Sequence, residues 1–123
     1  MRVKVMRHNF RKLKIWQVAM EIVDDVYTLT KKYPKEEMFG LSTQSRKAAV
    51  AIPSNISEGA GRQTNKDFSN FIDIALGSSN ELITQLLVAQ NQNYITAKET
   101  EAIVAKINEW QNMTFTFQEN NLK

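Results

Sequence analysis

Apolar residues recur at intervals of three and four along most of the chain, which is the period of an amphipathic α-helix. The first such run extends from about Phe10 to Lys32. Tyr33-Pro34 ends it, because a residue that precedes proline is disfavoured in helical geometry. The main stripe of this run is Ile15, Ala19, Ile22, Val26 and Leu29. These positions predict a first helix with one face in the core.

The second run begins at Leu41 and keeps its helical phase through Pro53 to Ala60. It therefore predicts one helix with a kink at the proline, rather than two helices. Gly59 and Gly61 lie at the end of this run, where we expect their backbone freedom to permit a tight reversal.

The third run continues from Phe68, after a capping sequence that begins at Thr64, to a polar end at residues 91–93. Gly77 lies inside this run, although glycine in a helix interior costs about 1 kcal/mol relative to alanine. We expect this glycine to permit close approach to small residues of the second helix. Those small residues are Ala48, Ala49 and Ala51.

A fourth run follows a second capping sequence, Thr96 to Glu99, and residues 119–123 are expected to form a frayed tail. Four helices with short connections predict an all-α protein, an up-down-up-down four-helix bundle with a kinked second helix. The length of 123 residues predicts a single domain that spans residues 1–123.

The composition removes much of enzyme chemistry. The chain has no cysteine and one histidine, His8, which excludes disulfides, thiolate chemistry and histidine-rich zinc sites. We predict a protein that is not an enzyme and has no catalytic residue, metal site or cofactor. An enzyme would need catalytic groups shared between subunits. No membrane span or secretory signal is recognisable, so we expect a cytoplasmic location without membrane attachment.

Positive charge is concentrated at the start of the chain. Six basic residues precede the first acidic residue, Glu21, and they are Arg2, Lys4, Arg7, Arg11, Lys12 and Lys14. The remainder contains ten basic and thirteen acidic residues. Residues 1–9 are predicted to form a basic flexible arm. This asymmetry is typical of an end that meets an anionic partner, and equally of a solvated terminus that keeps a protein soluble.

A second polar group surrounds the reversal between the second and third helices. It consists of Arg46, Lys47, Asn55, Glu58, Arg62 and Lys66. The functional interpretation is a patch that binds a phosphate or a partner's backbone near a helix N-terminus. The structural alternative is that Glu58 pairs with Arg62 and that Asn55 satisfies backbone groups freed by Pro53. The remaining basic residues would then be solvated or in contact with a partner.

Several motifs resemble the four-helix-bundle proteins named for the 23S ribosomal RNA intervening sequence. The most specific segments are Ile52-Pro53-x-Asn55-Ile56-x-Glu58-Gly59-x-Gly61-Arg62 and Phe68-x-x-Phe71-x-x-Ile74-Ala75-x-Gly77-Ser78-x-x-Glu81-Leu82. The resemblance makes Pro53, Asn55, Glu58, Gly59, Gly61 and Gly77 signature residues with structural roles. It implies a homopentameric ring without catalytic activity. A related branch, the accessory proteins of diversity-generating retroelements, contacts nucleic acid.

Two functions therefore compete. The first is a homopentameric, non-enzymatic scaffold that binds RNA or DNA through the arm residues and through Arg46, Lys47, Arg62 and Lys66. The second is a protein-interaction or assembly module without direct nucleic-acid binding. In the second case the spare apolar residues Ile74, Leu87 and Val88 would build the oligomer, and polar loops would meet a protein partner.

Overall fold

A computed structural model describes residues 8–123, in which four α-helices follow one another along the chain. They are α1 (Lys14–Thr30), α2 (Leu41–Ala60), α3 (Asn65–Asn91) and α4 (Ala97–Asn121). Short 3-10 turns at Phe10–Lys12 and Lys35–Glu37 precede α1 and α2. Within the described range the helices contact one another in the cyclic order α1–α2–α3–α4–α1. This is the predicted up-down-up-down bundle.

The start of α1 differs from the prediction. Asn9 accepts a hydrogen bond from the amide of Arg11 and caps the Phe10–Lys12 turn. Leu13 then has an extended backbone, so the α-helix itself begins at Lys14 rather than near Phe10. The run of apolar residues that predicts one helix therefore consists of two elements, the Phe10–Lys12 turn and α1. The predicted stripe of α1 is buried throughout.

Helix α2 is continuous through Pro53, as predicted. Pro53 has no amide proton, so the Ala49 carbonyl loses its helical partner and a bend is expected at this turn.

At the start of α2, Gly40 supplies no side-chain cap. The Glu37 Oε1 atom accepts from the Leu41 amide at 3.1 Å instead. The preceding 3-10 turn thus satisfies the first amide of α2.

The two predicted caps of α3 and α4 are confirmed. The Thr64 hydroxyl accepts from the Asp67 amide at 3.1 Å, and α3 begins at Asn65, three residues before the predicted start. Thr96 and Glu99 form a reciprocal capping box at the start of α4. Between these helices, Asn93 has a φ of 65°, in the left-handed region that asparagine tolerates well.

The end of α4 differs from the expected frayed tail. The helix continues to Asn121, and Leu122 is buried. The apolar end of the tail therefore packs with the bundle.

The core lies between the four helices. Trp110 is completely buried there, and its indole nitrogen donates to the Ile15 carbonyl at 2.8 Å, which ties α4 to the start of α1.

The glycines have different roles from those predicted. Gly59 lies inside α2, and a Cβ atom there would be 2.8 Å from both Phe68 Cδ1 and Phe71 Cβ. Gly61 has ordinary right-handed helical angles, so neither residue supplies a left-handed turn. The expected close approach at Gly77 is wrong, because a Cβ atom there would meet nothing within 4 Å. The close helix contact lies at Gly59 instead.

Candidate nucleic-acid interface

Among residues 8–123, one end of the bundle collects most of the predicted basic candidates. At this end, which we call the arm end, α1 begins, α2 ends, α3 begins and α4 ends. The His8 ring packs against the Phe68 and Phe117 rings, at centroid distances of 5.0 and 6.0 Å. His8, where the described part of the chain begins, therefore lies at the arm end.

Three basic residues at the arm end are exposed. Arg11, Lys12 and Lys14 belong to the 3-10 turn and the first turn of α1. None of them forms an ion pair with another residue in the range 8–123. Arg2, Lys4 and Arg7 lie outside the described residues. Phe10 lies in the same 3-10 turn as Arg11 and Lys12 and anchors that turn to α1. Its ring packs edge-on against the Trp16 ring, with 5.3 Å between the ring centroids.

Arg62 and Lys66 also lie at the arm end, but their environments differ. Arg62 Nη2 donates to Glu58 Oε1 at 2.9 Å, and the guanidinium lies 4.6 Å from the centre of the Phe71 ring. The predicted pairing of Glu58 with Arg62 is therefore confirmed. Lys66 is exposed in the first turn of α3 and has no ion-pair partner among the described residues.

Arg46 and Lys47 lie away from the arm end, on the face that α2 shares with α1. Arg46 Nε donates to the Thr30 hydroxyl at 2.9 Å, and its guanidinium lies 4.7 Å from the centre of the Tyr27 ring. Lys47 is exposed on the same face and is unpaired within the described chain. The structure thus divides the predicted polar group between two places rather than assembling one patch.

Asn55 has a structural role, but not the one that the structural alternative expected, because it does not satisfy the Ala49 carbonyl that Pro53 frees. Its side-chain amide donates to the Ala51 carbonyl at 2.8 Å, one turn back along α2. This carbonyl is two residues from that of Ala49, the one that Pro53 leaves without a partner. Asn55 therefore supports the helix next to the proline turn.

The opposite end of the bundle uses its acidic residues as caps. Glu37 accepts from the Leu41 amide and from the Tyr94 hydroxyl, and these hydrogen bonds hold its pKa below the ordinary value. The Lys32 ammonium and the Thr96 amide lower the pKa of Glu99 to about 2. These carboxylates stay ionised at neutral pH and are engaged in the fold.

Other contacts were missed by the sequence analysis. Lys106 pairs with Asp25 at 3.0 Å and Glu21 at 3.2 Å, which joins α4 to α1. No local motif signals this pair, because the residues are about eighty positions apart. Among residues 8–123, no group of three histidine, aspartate or glutamate side chains is placed to hold a metal ion. The arm end presents exposed cations to solvent.

The fold and the charge distribution define the class of protein. It is an all-α four-helix bundle whose sequence begins with a basic segment. Residues 11–116 match the family model of the 23S rRNA-intervening sequence protein, and the chain belongs to this family. The predicted family is therefore confirmed. No curated protein matches the chain.

A solved structure shares the architecture. It is a protein with unknown function from the S23 ribosomal protein family of Bacteroides thetaiotaomicron. Its TM-score is 0.78 and its identity is 24%, over 86% of this chain and 99% of that chain. At this identity the likeness shows the shared fold. Within residues 8–123, no helix combines the length and apolar character that a membrane crossing requires.

Proposed function

We propose that the chain is a non-enzymatic, cytoplasmic, homopentameric scaffold that binds RNA or DNA through basic residues at its arm end. The observation that carries this proposal is the exposure of Arg11, Lys12 and Lys14 without an ion pair in the described chain. Each exposed cation that neutralises a phosphate releases a counterion, which favours binding at low salt. Membership of a family named for a ribosomal RNA insertion supports the same conclusion.

Oligomerisation would strengthen such binding. Each protomer contributes six basic residues before Glu21, and cyclic symmetry would bring the copies of this segment to one rim. Several weak phosphate contacts on one assembly act together, because the second contact is intramolecular once the first has formed. Exposed apolar residues on α3, which a monomeric bundle does not need, support the oligomer.

The proposal is tested by fluorescence anisotropy with a labelled RNA hairpin and a labelled DNA duplex, titrated between about 50 and 200 mM salt. We expect the affinity to fall steeply with salt. The variant Arg11→Ala/Lys12→Ala/Lys14→Ala should bind more weakly and with a smaller salt slope. A matched control, Lys31→Ala/Lys35→Ala/Lys98→Ala, removes the same charge from exposed residues at the opposite end. It should bind nearly as the parent does.

Equal loss in both triple variants would indicate a nonspecific charge effect, and salt-insensitive binding or none would refute the nucleic-acid proposal. The oligomeric state is measured separately by light scattering. Since the protomer mass is 14.1 kDa, a closed pentamer has a mass of roughly 70 kDa.

A second candidate, a protein-interaction module, is favoured by one specific observation. Phe39 is 92% exposed and Met38 is 55% exposed in the connection before α2, at the end opposite the arm. An aromatic residue with this exposure is typical of a protein contact. If a nuclease-treated sample retains a specific protein partner that Phe39→Ser abolishes, and shows no nucleic-acid binding, the second function replaces the first.

A further inference from the structure

Two separate apolar surfaces remain uncovered on the described bundle. The outer face of α3 points away from the core and consists of Ile74, Gly77, Glu81 and Val88, at steps of three, four and seven. The second surface is a groove between α1 and α2. It is lined by Trp16, Met20, Val23, Tyr27, Lys47, Val50 and Ser54.

Each surface combines apolar side chains with charge of one sign, which is Glu81 on α3 and, in the groove, Lys47 together with Arg46. On α3, Ile74 is 52% exposed, and Glu81 accepts only from the Gln85 amide at 3.2 Å among the described residues. In the groove, Tyr27 and Val50 are each 39% exposed, and Lys47 lies beside them without a described anionic partner. The two surfaces are therefore opposite in charge and alike in apolar character.

Gly77 gives a second reason to expect a helix against the outer face of α3. Inside the described chain nothing lies within 4 Å of the position of its Cβ atom, so the fold of one protomer does not require a glycine there. The residue nevertheless costs helix stability relative to alanine. A glycine on an outer face lets another element approach the backbone closely.

The heights of the two surfaces along the bundle also agree. Gly59 of α2 packs against Phe68 and Phe71 of α3, which fixes the antiparallel register of these helices. From this contact, Lys47 lies twelve residues back along α2, and Glu81 lies ten to thirteen residues forward along α3. At a rise of about 1.5 Å per residue, Lys47 is about 18 Å and Glu81 about 15–20 Å from the Gly59 contact.

We propose that a second copy of this chain covers each surface, with the outer face of α3 on one protomer in the α1–α2 groove of the next. Glu81 of one protomer then pairs with Lys47 of its neighbour. Contact between two different surfaces generates a ring when the rotation closes. Rotation about an axis parallel to the helices preserves height, so the two charges meet. The inference rests on the homo-oligomer proposed above and identifies its interface.

Charge reversal tests the pairing, with oligomeric mass measured by light scattering across a concentration series. Glu81→Lys and Lys47→Glu should each weaken association tenfold or more, because like charges then face each other in a closed contact. The double variant, Glu81→Lys/Lys47→Glu, should recover most of the association. Glu109→Lys on the outer face of α4 is the control with the same charge change, and it should leave the mass unchanged.

Cysteine cross-linking distinguishes the proposed contact from a symmetric one, since the native chain contains no cysteine. Under mild oxidation, Glu81→Cys/Lys47→Cys should form a ladder of linked chains, whereas either single variant should remain unlinked. Linking by Glu81→Cys alone would overturn the proposal in favour of an α3–α3 contact. A parent that is oligomeric but unaffected by both reversals also overturns it, while the proposed scaffold stands. A monomeric parent refutes both.

Discussion

Replacing Gly59 with alanine tests why glycine is required where α2 packs against α3. The new Cβ atom would lie 2.8 Å from Phe68 Cδ1 and Phe71 Cβ, and 3.2 Å from the Phe68 carbonyl oxygen. Two of these three atoms belong to the backbone or to the rigid first atom of a side chain. The clash therefore cannot be relieved by a rotamer change, and the helices must separate.

The expected magnitude combines two opposing effects. Overpacking of a well-packed core costs about 1–3 kcal/mol, and alanine recovers about 1 kcal/mol of helix propensity relative to glycine. Because the Phe71 Cβ atom and the Phe68 carbonyl cannot move alone, we expect the upper part of the overpacking range. The net loss in the free energy of unfolding is then about 1–2 kcal/mol.

Gly61→Ala is the matched control two residues away. Gly61 has right-handed helical angles, and its nearest atom to a new Cβ, the Glu58 carbonyl oxygen, is 3.6 Å away. This variant should be neutral or more stable by up to about 1 kcal/mol. The assay is urea unfolding followed by circular dichroism at one fixed protein concentration, because oligomerisation shifts apparent stability. Equal stabilisation by both substitutions would refute the close-packing explanation.

Three further predictions concern single side chains. Lowering the pH from 4.5 towards 2 should remove stability that ionised Glu99 contributes, since its folded pKa of about 2 is below the ordinary value of 4.5; Glu99→Gln should flatten the dependence of Tm on pH in this window. Burial raises the pKa of Tyr33 from 10.0 to about 12, so stability should fall between these pH values, and urea unfolding of Tyr33→Phe should show a smaller fall. Asn93→Val should lose about 1–2 kcal/mol in the same assay because φ is positive there, whereas Asn93→Gly should change little.

The helices could be predicted from the sequence because each has its own signal. An apolar period of three to four marks a buried face, and the caps that begin at Thr64 and Thr96 mark the starts of α3 and α4. The cap of α2 could not be predicted in this way. Glu37 reaches the Leu41 amide from a separate 3-10 turn, with Tyr94 holding its other oxygen, and this arrangement exists only after the chain has folded.

The glycines show where sequence reasoning reached its limit. Gly77 interrupts an apolar helical run and was expected to permit a close approach, whereas Gly59 was expected to permit a tight reversal after the second helix. Which glycine faces a neighbouring helix depends on the rotation of α2 and α3 about their axes. In the folded chain Gly59 is buried against Phe68, whereas Gly77 is exposed. The apolar period defines the buried face of a helix only approximately, so a residue at the edge of that face can be assigned to the core or to the surface wrongly.

The candidate interface was only partly predictable, because arginine and lysine respond differently to nearby aromatic rings. Arg46 and Arg62 fold back over Tyr27 and Phe71 and make additional hydrogen bonds within the chain. A planar guanidinium stacks on a ring and still donates in its plane, which a lysine ammonium cannot do in the same way.

The structural use of these two arginines narrows the proposed nucleic-acid surface. Replacement of Arg62 removes a ring contact and the Glu58 ion pair, so its first effect should be on the stability of the α2–α3 reversal. Lys66 contributes no such contact in the described chain and is exposed in the first turn of α3, where helix amides favour anions. Among the residues that the structure describes, free positive charge at the arm end therefore rests on Lys66 together with Arg11, Lys12 and Lys14. Phosphate binding should depend on these four residues more than on Arg46 or Arg62.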